Sequence, residues 1–146
     1  MSVIAQIRET VQFIRNLYPE TAEVGVILGS GLGNFSKEIS VDFEIPYQDI
    51  PHFPVSTVKG HQGKLVFGRM SGKRIIAMAG RFHFYEGYDV NAVVFPIRVM
   101  KFLGIRLLMI SNAARGVNPS FHVGDLTIIR DHISFATLNP LVGYNE

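Results

Sequence analysis

The sequence predicts an α/β fold: a mixed central sheet with flanking helices, incomplete at its C-terminal side. Three observations carry this. Short apolar runs end in glycine or turn residues, as buried strands do. Two β-prone runs flank a Ser-Gly pair, as in a hairpin. Two segments have apolar residues at helical spacing.

Ile4, Ile7, Val11 and Ile14 recur three and four residues apart. They form one stripe on a helix from about residue 2 to 17, which Pro19 stops. Val24–Leu28 reads as a buried strand running into Gly29-Ser-Gly-Leu-Gly33. Lys64–Met70 and Arg74–Ala79 pair around Ser71-Gly72. Asn91–Leu103 is helical and ends at Gly104, while Pro96 inside it argues for a kink or a later start. Ile105–Ile110 is a second buried strand, and Leu126–Arg130, after Gly124-Asp125, a third. A sheet buried on both faces needs helices on both sides, and only two helices are visible. Each large apolar side chain left uncovered forfeits about 1.5–3 kcal/mol. Five forfeit about 10 kcal/mol, comparable with a domain's whole stability. The chain is therefore expected to lack part of its cover.

Length and composition bound the function. The 146 residues fit one domain, and 47% hydrophobic with 18% charged residues excludes a disordered polar chain. The mean hydropathy of +0.22 is high for this size and again implies buried surface beyond what the chain makes alone. The net charge is +2 with no Lys/Arg run, which speaks against nucleic acid. No cysteine is present, so disulfides, thiolate nucleophiles and Fe–S clusters are excluded. No apolar run approaches membrane-spanning length, and the start lacks the pattern of a secretory signal. A cytoplasmic location fits these features.

Four segments could do chemistry. Gly29–Gly33 could turn several N–H groups toward one anion, with Ser30 adding a hydroxyl, or could be a plain strand-to-turn exit. It is no dinucleotide fingerprint, because Asn34 replaces the third glycine, and no Walker A loop. In Gly80-Arg-Phe-His-Phe-Tyr-Glu-Gly-Tyr88 the alternation puts Arg81, His83 and Tyr85 on one face if the backbone is extended. Arg81 offers a donor fork suited to phosphate. Alternatively Phe82 and Phe84 fill the core while Arg81 and His83 face water. Gly60-His-Gln-Gly63 leaves His61 accessible, though a lone histidine is more often structural. Ser111-Asn-Ala-Ala-Arg-Gly116 offers small residues that let a flat ligand reach the backbone, and by itself also reads as a simple strand exit. The five histidines show no metal-ligand spacing, and Asp131-His132 suggests a structural hydrogen bond. The carboxylates form no glycosidase pair.

Together these blocks resemble the purine nucleoside phosphorylases of the homotrimeric type. The matching stretches are Val26–Gly33, Gly60–Gly63, Gly80–Tyr88, Pro96–Lys101, Ser111–Ala114 and Gly124–Ile133, in the family's order. The resemblance implies a nucleoside-phosphorylase-like fold, of which residues 1–146 would be the N-terminal portion of a single domain. It implies reversible phosphorolysis of purine (deoxy)ribonucleosides to free base and (deoxy)ribose 1-phosphate. Inorganic phosphate is the co-substrate, with no metal or organic cofactor. It further implies a cytoplasmic homotrimer serving purine salvage, with no nucleic-acid or membrane partner. Carried over by position, Ser30, Arg81, His83 and the Ala113 N–H bind phosphate, with His61 beside it. Tyr85 contacts the ribose, and Ala114 and Arg115 lie in the base loop. Arg115 departs from the family, which usually has glycine there. The family's purine-binding acid and Asn, its second phosphate Ser and a later sugar-binding His have no counterpart in these residues. The 146-residue chain alone is accordingly expected to be an inactive portion. A phosphorylase of methylthioadenosine is the enzymatic alternative; a phosphate-holding module without chemistry, or a half-enzyme that pairs with another chain, are the non-enzymatic ones.

Overall fold

The structure, a computed structural model, describes residues 1–29, 33–55, 63–135 and 138–143. Helix α1 spans Val3–Leu17, capped by Ser2, whose hydroxyl accepts the Ala5 N–H. Its buried side carries Ile7, Thr10, Val11 and Ile14. The Thr10 hydroxyl lies 2.9 Å from the Gln6 carbonyl and 2.8 Å from that of Pro51, so burial leaves it partnered. Tyr18 is extended at φ −141°, as a residue before proline must be, and the helix ends there.

Among the described residues five strands follow: β1 (Val24–Ile27), β2 (Ser40–Pro46), β3 (Lys64–Met70), β4 (Lys73–Ala79) and β5 (Leu107–Ile110). Helix α2 (Val90–Leu103) lies between β4 and β5. The sheet order is β2-β3-β4-β1-β5. Strands β4, β1 and β5 run parallel, whereas β2, β3 and β4 are antiparallel, so the sheet is mixed as expected. The β3–β4 hairpin turns on Ser71 (φ 48°) and Gly72 (φ 76°), the positive pair of a type I′ turn.

Helix α2 starts before Pro96, not after it. Asp89 caps it by accepting the Asn91 N–H at 2.7 Å, and the helix continues through the buried proline to Gly104 (φ 107°).

Both helices cover one sheet face. There Ile7, Ile14, Val99, Met100 and Leu103 pack with Ile27, Leu65, Phe67, Ile76 and Met78. The alternate residues Val26, Leu28, Val66, Ile75 and Ala77 form a smaller cluster on the other face with Ile39 and Phe35. Phe35 belongs to the 3-10 stretch Gly33–Glu38.

Two expectations are corrected. Strand β5 is not buried on both faces: Leu107, Met109 and Ile110 are each more than half exposed. Among the described residues it is an edge strand, paired with β1. Leu126–Arg130 is no strand and no core: Leu126 and Ile128 are fully exposed. An apolar β-branched run becomes a strand only where a ladder accepts its N–H and C=O groups, and among the described residues this run pairs with none. Strand β2 is additional to the strands that the sequence predicts, although Val41, Phe43 and Ile45 alternate with Asp42 and Glu44.

Candidate functional site

Parallel pairing decides where the site lies. Ile27 at the end of β1 is level with Met78 of β4 and Ile110 of β5. The three chains therefore leave the sheet side by side, at Gly29, Gly80 and Ser111. Ligands of open α/β sheets bind at such carboxyl ends.

The exits of β1 and β5 are locked together. Ser111 Oγ accepts the Gly29 N–H at 2.8 Å and donates to the Ile27 carbonyl at 3.2 Å. A Cβ on Gly29 would stand 2.5 Å from the Ser111 carbonyl oxygen, so only glycine allows this approach.

From β4's exit, the alternation of the following residues holds. Phe82 is buried against Tyr47 and Tyr88, and its neighbours Arg81 and His83 turn together to the other side. Phe84, by contrast, is half exposed and does not fill the core. Arg81 Nε donates to His83 Nε2 at 2.9 Å, and its terminal nitrogen donates to the Ser111 carbonyl at 2.9 Å. Arg81 thus bridges the exits of β4 and β5.

A guanidinium only donates. His83 Nε2 is therefore an acceptor, and the ring proton sits on Nδ1. That nitrogen meets Glu86 Oε1 at 2.5 Å. The short 3-10 turn Phe84–Glu86, closed by Gly87 (φ 91°), brings Glu86 to the Nδ1 edge of the ring. The Glu86 side chain is 7% exposed, and its second oxygen, Oε2, has no hydrogen-bond partner among the described residues. The period-two alternation does not single out Glu86. The signal was the His-x-x-Glu spacing, which faces two side chains within one turn. The Tyr85 ring stacks on His83 with centroids 4.7 Å apart and is otherwise exposed, free to meet a ligand.

Ala113, Ala114 and Arg115 follow Ser111 on an exposed stretch beside this cluster, and the Arg115 side chain faces solvent. Ser30 and His61 lie outside the described residues. Asp131 does make the expected local bond, but to the backbone N–H of His132 and not to its ring. Among the described residues no group of three acidic, His or Cys side chains could hold a metal ion, and no helix is long and apolar enough to cross a membrane.

The arrangement is a forked cation and an imidazole at the end of a parallel sheet, with a carboxylate behind the imidazole. It can present N–H donors to an anion and steady a proton on His83.

Residues 23–146 match the family model described as the phosphorylase superfamily. The chain is 54% identical over 141 residues to purine nucleoside phosphorylase 1 of Bacillus subtilis, covering 97% of this chain and 52% of that protein. It is 45% identical over 142 residues to purine nucleoside phosphorylase of Rattus norvegicus, covering 95% and 49%. A crystal structure of Schistosoma mansoni purine nucleoside phosphorylase matches with a TM-score of 0.78 at 44% identity, over 86% of this chain and 46% of the other. A purine nucleoside phosphorylase in complex with ribose 1-phosphate matches with a TM-score of 0.80 at 45% identity, over the same shares. The chain spans about half the length of the curated relatives it matches.

Proposed function

The chain belongs to the phosphorylase superfamily, and from that premise we propose that it supplies the phosphate and ribose side of a purine nucleoside phosphorylase. The observation that carries this reading is the Arg81–His83 pair anchored to Ser111 at the sheet end. In the reaction, a phosphate oxygen forms a bond to C1′ of a purine (deoxy)ribonucleoside. The glycosidic bond breaks, its electron pair leaves with the purine, which gains a proton as the attacking hydrogen phosphate gives one up, and (deoxy)ribose 1-phosphate remains. The sugar gains oxocarbenium character on the way, and a phosphate dianion held beneath it stabilises that charge.

Arg81 and His83 hold the phosphate in this reading, joined by Ser30, His61 and the Ala113 N–H. Glu86 keeps the His83 ring oriented. Tyr85 receives the ribose, and Ala114 and Arg115 border the base. Phosphate is the co-substrate, and no metal or organic cofactor takes part. The same reading carries a homotrimer, a cytoplasmic setting and a role in purine salvage.

Two measurements test it. Titration of the chain with inorganic phosphate, followed by 31P NMR, should show saturable binding that Arg81→Ala weakens. Protein whose mass has been measured is then assayed for phosphate-dependent release of hypoxanthine from inosine. Absence of saturable phosphate binding would overturn the assignment of the site.

A further inference from the structure

We propose that Tyr47 is a positioning residue for the anion site, fixing the peptide from which Arg81 departs. This rests on the reading that Arg81 and His83 hold phosphate. Strand β4 ends at Ala79, and Gly80 leaves the ladder at φ 106°. Its carbonyl, part of the Gly80–Arg81 peptide plane, lies past the last residue pairs that β4 makes with β1 and β3. The Tyr47 hydroxyl donates to that carbonyl at 2.7 Å. The bond sets the tilt of the plane, and hence the direction in which the Arg81 side chain starts.

Tyr47 can do this because it is itself immobile. It is 2% exposed. Its ring packs against Phe53 and Phe82, with centroids 5.6 and 5.1 Å away. Its backbone N–H donates to the Gly63 carbonyl at 2.9 Å. A Cβ at Gly63 would stand 2.8 Å from the ring, so the chain before β3 closes directly on it. Phe82 lies between Arg81 and His83 in sequence. The same ring therefore holds this segment from both its carbonyl and its buried side chain. Burial pushes the hydroxyl's pKa well up, so it remains a proton donor throughout the neutral range.

The test compares Tyr47→Phe with Phe53→Leu. The first removes one hydroxyl and keeps the ring. The second loosens the same core and leaves the bond to Gly80 in place. Both are titrated with inorganic phosphate well below their melting temperatures, and the Arg81 Nε–H resonance is followed by NMR. Tyr47→Phe should weaken phosphate binding about tenfold and shift the Arg81 resonance. Phe53→Leu should lower the melting temperature and change neither. Wild-type affinity in Tyr47→Phe, or equal losses in both variants, would overturn the proposal. If the wild-type chain binds no phosphate, the phosphate reading fails, and the Arg81 resonance decides the positioning role: unshifted in Tyr47→Phe, that role falls too.

Discussion

Arg81 Nε donates to His83 Nε2 at 2.9 Å, and this one bond assigns the imidazole tautomer. Two cationic-type side chains would ordinarily repel. Here the neutral ring accepts from the guanidinium, while its Nδ1–H is taken by Glu86. The Arg81 Nε–H and the His83 Nδ1–H are thus both engaged within the cluster, and an anion binding here would compete for donors already oriented.

Arg81→Ala should weaken phosphate binding by about 1.5–3 kcal/mol, or roughly ten- to a hundredfold, the worth of a charge-assisted contact. Calorimetric titration checks it. Unchanged affinity would reduce Arg81 to a brace between the exits of β4 and β5.

Glu86→Gln tests the tautomer. A carboxylate accepts only, whereas the amide can also turn its NH2 toward His83 Nδ1. The wild-type ring should show its proton on Nδ1 in 15N spectra above the histidine titration range. The variant should show a mixture of tautomers. A proton on Nε2 in the wild type would contradict the Arg81–His83 bond.

The sequence made part of this site legible. The Arg-x-His alternation across a buried Phe82 is visible because an extended chain has period two. Gly29 is visible as a break after an apolar run. Glu86 and Tyr47 are not visible in the same way. Glu86 reaches His83 through a 3-10 turn that the alternation does not foretell. Tyr47 reaches Gly80 across 33 residues of chain, a contact made by tertiary packing alone. For the fold, α1, α2 and the β3–β4 hairpin follow from local pattern, and local capping and turn residues agree with them. Leu126–Arg130 shows the limit: its pattern is that of a strand, but strands are made by partners.

Gly29→Ala should destabilise the chain by about 1–3 kcal/mol, because the new methyl meets backbone and not a movable side-chain end. It should also separate Ser111 from β1 and so weaken phosphate binding, linking stability to site geometry. Urea denaturation and phosphate titration of one preparation read both. A loss of stability with intact affinity would show that the exits move independently.

Stability should decline at alkaline pH. Burial raises the Tyr47 pKa above the unfolded value of about 10. The folded state then holds a proton that the unfolded state releases. Stability from this group is fully present below about pH 10 and is lost as pH rises beyond it. Tyr47→Phe should flatten that alkaline arm without abolishing it, because Tyr18 is also raised, by burial first and then by its bond to Asp42. Urea midpoints between pH 8 and 11 test this; an equally steep fall in the variant would remove Tyr47 as the cause.

The two edges of the sheet predict opposite behaviour. Strand β2 forms one edge and is blunted in several ways. Its Asp42 and Glu44 lie near Arg69 and Lys64, its pairing shifts register between Val41 and Phe43, and it ends in Pro46. Charges, irregular pairing and proline are the usual guards against edge-to-edge association. Among the described residues strand β5 forms the other edge, and it has neither charge, register shift nor proline. Leu107-Leu-Met-Ile110 carries no charge, and three of its four side chains are more than half exposed. Unpaired N–H and C=O groups beside exposed apolar side chains are a template for another strand. The 146-residue chain should therefore associate as its concentration rises, and through β5. Met109→Lys places a charge on that edge without touching Arg81 or His83, and should shift the sedimentation profile toward monomer. A lysine at Val41, on the guarded edge, should leave the profile as it is. Monomer at every concentration, or equal effects of the two lysines, would show that β5 is not the adhesive edge.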